Sequence, residues 1–100
     1  MPAVTRLGDL STGHGCWPPT NLVQTAAKKS RVNGILVALT DPESQFATHV
    51  CGTVVHPQPE RYISSGASKS FIEGRPIARI GDNIGCGDAI AQGSPNTFVE

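Results

Sequence analysis

What this chain lacks narrows its function before any motif is considered. Charge of one sign is missing: eight basic and eight acidic residues give a formal net charge of zero. They are scattered rather than clustered, so the electrostatic footprint of a nucleic-acid binder is absent and nucleic acid is set aside as a partner. Long apolar runs are missing too; the longest, residues 35–39, falls far short of the roughly 18 residues a membrane span needs. Met1-Pro2-Ala3-Val4 opens no signal peptide, so the expectation is a soluble protein made in the cytosol. Helical periodicity does not survive 11 Gly and 8 Pro in 100 residues, which leaves short apolar runs of Val, Ile and Ala and predicts a mostly β, single domain over residues 1–100. Cys16, Cys51 and Cys86 are an odd number without CxxC spacing. That argues against a purely disulfide framework, and a cytosolic origin favours thiols.

What is present is repetition. Gly66-Ala67-Ser68-Lys69-Ser70-Phe71-Ile72-Glu73 returns as Gly93-Ser94-Pro95-Asn96-Thr97-Phe98-Val99-Glu100, with a degraded copy at Ala26-Ala27-Lys28-Lys29-Ser30-Arg31-Val32-Asn33. Arg79-Ile80-Gly81-Asp82 matches Arg6-Leu7-Gly8-Asp9, and Ala38-Leu39-Thr40-Asp41 stands where an eroded third copy falls. One small supersecondary unit used three times is the simplest reading. Each unit reads as a hairpin: a Gly-Ser-like turn, a short strand (Phe71-Ile72-Glu73, Phe98-Val99-Glu100), a turn at Glu73-Gly74 and a return strand 77–80. Strands this brief need a shared core, so three hairpins around a common axis with approximate threefold symmetry are expected; an irregular β-sandwich is the plainer alternative.

All three histidines and all three cysteines lie in the loops between copies: His14 and Cys16 after the first phrase, His49, Cys51 and His56 after the second, Cys86 after the third. Converging hairpins bring these loops together, and neutral imidazoles with thiolate are the donors zinc takes tetrahedrally. Exposed loop histidines and small buried apolar cysteines are the competing reading.

With these residues in view the chain resembles the PAAR-repeat proteins, the small conical tips of the spikes of type VI secretion systems and contractile phage tails. Pro76-Ile77-Ala78-Arg79 stands for the family's Pro-Ala-Ala-Arg phrase. Gly-His-Gly-Cys-Trp-Pro-Pro at 13–19, Val-Asn-Gly at 32–34, Ile-Gly-Cys-Gly at 84–87 and Gly-Ser-Pro-Asn-Thr-Phe-Val at 93–99 follow in order. The resemblance implies an all-β pointed cone of three short hairpin repeats, with one structural Zn2+ near the vertex held by His14, His49, His56 and Cys86. Cys16 and Cys51, each two residues beyond a proposed ligand, remain alternatives for a histidine.

It further implies that the base binds a trimeric β-helical spike protein, of the VgrG or phage central-spike kind, one copy per trimer. The base strands would be Arg31-Val32, Phe71-Ile72 and Phe98-Val99, for whose Phe residues simple core packing is the alternative. The target membrane would be pierced transiently, and a chain made in the bacterial cytoplasm would be delivered outside the cell or built into a virion. The rival class is a small zinc hydrolase using the His/Cys loops, with Asp82 or Asp88 as orienting carboxylate. Trp17-Pro18-Pro19 reads as a rigid packed loop more readily than as a docking surface.

Overall fold

The computed structural model describes residues 2–99 and is built of short strands: β1 (Leu22–Gln24), β2 (Arg31–Val32), β3 (Ile35–Leu36), β4 (Asp41–Phe46), β5 (His49–Cys51), β6 (Val54–His56), β7 (Tyr62–Ile63), β8 (Phe71–Ile72), β9 (Arg75–Pro76), β10 (Asn83–Ile84) and β11 (Asp88–Ala89). Single 3-10 turns occupy Gln58–Glu60 and Gly85–Gly87. The body is elongated, 38 × 24 × 22 Å.

The repeated phrases form three equivalent hairpins. β2 pairs with β3 through Asn33-Gly34 and β8 with β9 through Glu73-Gly74; all four turn residues have positive φ, as a two-residue type I′ connection demands. Glu73 is an unusual occupant of such a position. Its carboxylate accepts from the Lys28 and Ser30 amides (3.0 and 3.3 Å) and the Ser30 hydroxyl (2.8 Å), which offsets the conformational cost. The third hairpin is assembled from the two ends of the chain: Phe98 bridges Ala3, and the Val99 amide donates to the Pro2 carbonyl (3.1 Å). Glu100, expected in this strand, lies outside the described residues.

The return strands meet at the axis in a closed ring of backbone hydrogen bonds. The Thr5 amide donates to Ala78 O (3.0 Å), Ala78 to Ala38 O (3.0 Å), and Ala38 to Thr5 O (2.9 Å). The flanking bridges Arg6 with Val37, Leu39 with Ile77 and Arg79 with Val4 repeat the same cycle. Three backbones this close leave room only for small side chains, and Thr5, Ala38 and Ala78 are fully buried. The expected pseudo-threefold symmetry is therefore literal. It is least regular in the middle copy: the Thr25 hydroxyl donates to Val37 O (2.8 Å) where the Ala67 and Ser94 amides serve Ile77 O and Val4 O. Arg6 and Arg79 each close a tight turn on Asp9 and Asp82 through both carboxylate oxygens. In the middle copy Leu39 replaces that arginine, and Asp41 pairs with Arg75 of the next hairpin instead (2.6 Å).

Beyond the ring, β1, β4, β7, β10 and β11 form an antiparallel sheet in that order. Residues 10–12 close it: Leu10 bridges Asn21 beside β1, and Ser11 bridges Ile90 beside β11. A sheet with no open edge encloses Leu22, Ala38, Phe46, Ile63, Ala78, Ile84 and Ile90 on the loop side of the ring, while Val4, Ala26, Ala27, Val37, Leu39, Ala67 and Ile77 fill the hairpin side. Each fully buried Leu, Ile or Phe contributes about 1.5–3 kcal/mol, and this double core carries the loops to one end.

Candidate metal centre

Three connections of unequal length leave the closed sheet. The first, 13–19, folds back on itself: the His14 amide donates to Trp17 O (3.1 Å) and the Trp17 amide to His14 O (2.8 Å). The second rises as the β5–β6 hairpin, whose register sets His49 directly opposite His56. The third is the tight turn between β10 and β11, with Cys86 at positive φ (72°). Gly85 permits that turn, since a side-chain carbon there would collide with the Glu60 carbonyl.

These connections bring His14, His49, His56 and Cys86 together, one donor atom from each within 4.8 Å of the others. His49 Nε2 lies 3.0 Å from His56 Nδ1 and 3.8 Å from Cys86 Sγ. A tetrahedral zinc with Zn–N of about 2.0–2.1 Å and Zn–S of about 2.3 Å sets its donors roughly 3.3–3.6 Å apart, so the spacing and the mixed imidazole–thiol chemistry both fit a metal. His49 Nδ1 sits 3.0 Å from the Pro18 carbonyl. Donation of its proton there leaves Nε2 as the atom that would face a metal. Burial pushes the Cys86 thiol up and holds the His49 imidazole below its ordinary range; a metal held here would take His49 as a neutral imidazole and displace the Cys86 thiol proton.

Cys16 and Cys51, held open above as substitutes for a histidine and expected as thiols, are joined in a disulfide. The folded-back first connection lies against the tip of the second hairpin and places their Cα atoms 5.5 Å apart, within reach of a bridge. The expectation of free thiols there is corrected, and Cys86 is the free cysteine.

Trp17 lies flat against His56, ring centroids 4.3 Å apart at 8°, and 5.0 Å from His14. The packed-loop reading holds: the indole covers two of the imidazoles.

Sequence reasoning missed Arg61. Its fully buried guanidinium donates to Asp88 Oδ2 (3.0 and 3.3 Å), Ser11 Oγ (3.1 Å), Thr20 Oγ1 (2.8 Å) and the Ala47 carbonyl (3.1 Å), and stands over the Phe46 ring. Asp88 Oδ1 accepts from Thr12 Oγ1 (2.7 Å). Burial works against the Asp88 anion, but the hydrogen bonds from Thr12, Ser11 and Ala89 and the Arg61 charge outweigh it and hold the carboxyl below its usual range. One polar knot thus ties the three connections together beneath the four donors. The only sequence signal for it was a lone arginine after a stretch, 44–59, without formal charge.

Among the predicted base residues, Phe71 and Phe98 are 59% and 48% exposed and Arg31 is exposed, so neither Phe is a core residue. Val32, Ile72 and Val99 are partly buried against the hairpin-side core.

The architecture and centre define a class: a small all-β domain of three pseudosymmetric hairpins with a His/Cys cluster suited to a metal near one end. A model of the PAAR motif family matches residues 12–92, and the chain belongs to that family, which is associated with spike-tip proteins. A search of curated proteins returned no match.

Proposed function

We propose that this chain is the metal-stapled tip of the spike of a contractile injection machine, seated by its hairpin end on a trimeric β-helical spike protein of the VgrG or phage central-spike type. The observation that carries the reading is the closed ring of Thr5, Ala38 and Ala78 hydrogen bonds. A single chain with a threefold backbone presents similar strand ends to three identical subunits, so one copy caps one trimer and covers its open edges. The outward positions of the three hairpins are Arg31, Phe71 and Phe98, with Val32, Ile72 and Val99 behind them. Large exposed aromatics on a small domain are typical interface anchors.

The opposite end suits a bilayer. Residues 13–19 and 49–56, which form the first two connections, carry no Asp, Glu, Lys or Arg, and the β5–β6 hairpin exposes Val50, Val54 and Val55 by 47–51%. Zinc bound by His14, His49, His56 and Cys86 holds this narrow end where there is no volume for a hydrophobic core. Four protein donors complete a tetrahedral shell and leave no position for a reactive water, which supports a structural ion over a hydrolase.

The test replaces Phe71 and Phe98 by Glu and measures co-purification with the cognate trimeric spike protein. Loss of association by a variant of native thermal stability supports the assignment; undiminished association by a folded variant overturns it.

A further inference from the structure

Among the described residues, two ring nitrogens at the centre above the buried knot, His14 Nδ1 and Trp17 Nε1, are buried without a hydrogen-bond partner. His14 Nδ1 is buried and makes no hydrogen bond, and the nearest acid is Asp88, whose Oδ1 lies 3.8 Å away on a side chain wholly removed from solvent. We propose that Asp88, held by Arg61, is the outer carboxylate that accepts a hydrogen bond from the Nδ1–H of His14 and would thereby present the opposite ring nitrogen, Nε2, to the metal.

Three observations converge on this assignment. First, the carboxylate is fixed on both sides: Arg61 occupies Oδ2 (3.0 and 3.3 Å), and Thr12, two residues before His14, occupies one lone pair of Oδ1 (2.7 Å). Together with the Ser11 and Ala89 hydrogen bonds, these partners hold the carboxylate in place with Oδ1 facing His14 Nδ1 at 3.8 Å. Second, the strand that carries Asp88 is stitched to the segment that leads into His14, because the Thr12 amide donates to Ala89 O (2.8 Å). The gap of 3.8 Å is too long for a hydrogen bond, and a ring shift of about 1 Å closes it. Third, the centre already shows the same arrangement at a second histidine, where the Pro18 carbonyl beside His49 Nδ1 turns Nε2 towards His56 and Cys86. Metal-bound histidines characteristically donate their second ring proton to such an acceptor, which fixes tautomer and orientation. Asp88 would do for His14 what the Pro18 carbonyl does for His49.

The assignment rests on the four donors binding a metal and not on the spike-tip role. It is tested on the full chain loaded with zinc and labelled with 15N-histidine. NMR of the native protein is expected to show His14 protonated at Nδ1 and metal-bound through Nε2. In Asp88→Asn the amide oxygen is drawn to Arg61, so the NH2 group faces His14 and disfavours that tautomer. Zinc affinity, measured by competition with a chromophoric chelator, should fall about 10- to 100-fold, and the cobalt(II)-substituted variant should show a shifted ligand-field band. His14 bound through Nδ1 in the native chain overturns the proposal. So does a folded Asp88→Asn protein with affinity within twofold of native and an unchanged His14 tautomer. If that variant does not fold, the native tautomer decides alone. Failure of the native chain to take up zinc would instead overturn the metal reading of the centre, and this proposal with it.

Discussion

Replacing Arg61 by Met isolates the energetic weight of the knot that joins the three vertex connections. Met keeps much of the length and apolar bulk but removes every donor. Asp88 Oδ2 then loses both guanidinium hydrogen bonds, and Ser11, Thr20 and the Ala47 carbonyl each lose one. Because both side chains are inaccessible to solvent, solvent screening cannot rescue the stranded carboxylate. Breaking a buried pair in this way costs about 3–5 kcal/mol. In a domain of this size that corresponds to a fall in midpoint of about 15–25 °C. The assay is thermal unfolding followed by circular dichroism at a fixed excess of zinc, so that metal linkage is held constant. Adding Asp88→Asn to Arg61→Met should recover part of the loss by removing the stranded charge, giving a non-additive double-mutant cycle. A folded Arg61→Met protein destabilised by less than about 1 kcal/mol would refute the reasoning.

Other outcomes follow from the same geometry. Trp17 is the only tryptophan and stacks on His56, so its fluorescence should change on zinc addition and saturate at one equivalent; an unresponsive signal while metal binds would mean the stack is not at the centre. Reducing the Cys16–Cys51 bridge, which spans 35 residues, should cost about 4 kcal/mol in metal-free protein. The cost should be clearly smaller with zinc bound, because His14 and His49 then tie the same two connections; an equal loss in both states would contradict this. The Glu73 carboxyl is held below its ordinary range chiefly by the Lys28 amide and the Ser30 hydroxyl. A depressed carboxyl stabilises fully above its unfolded value and loses that effect as pH falls through the folded one. Glu73→Gln should therefore be less stable than native at pH 7, with the difference shrinking from about pH 4.5 downward; a pH-independent difference would rule out the charge as its cause.

The legible parts of this fold were those written in local chemistry. Arg6-Leu7-Gly8-Asp9 and Arg79-Ile80-Gly81-Asp82 announce the same turn because the same bidentate latch closes both, and Asn33-Gly34 and Glu73-Gly74 announce hairpins through the backbone conformation they share. That His14, His49, His56 and Cys86 come together was legible because their confinement to equivalent loops and the family resemblance pointed the same way. Closure of the third hairpin by the two chain ends was not, since Ala3 and Phe98 are far apart in sequence and carry no turn between them. The Cys16–Cys51 bridge escaped for a similar reason: it depends on how a folded-back seven-residue connection leans on a longer hairpin, which spacing does not encode. Arg61 escaped because arginine is rarely buried; only the convergence of Asp88, Ser11, Thr20 and Ala47 from separate strands satisfies its donors.

The most direct test of a metal-stapled vertex is the zinc content of the native chain, purified without chelators or a histidine tag, beside that of Cys86→Ser. The account predicts one zinc per native chain, with the metal lost or weakened in Cys86→Ser together with a lower unfolding midpoint. A folded, stable native chain that contains no zinc and takes none up would contradict it.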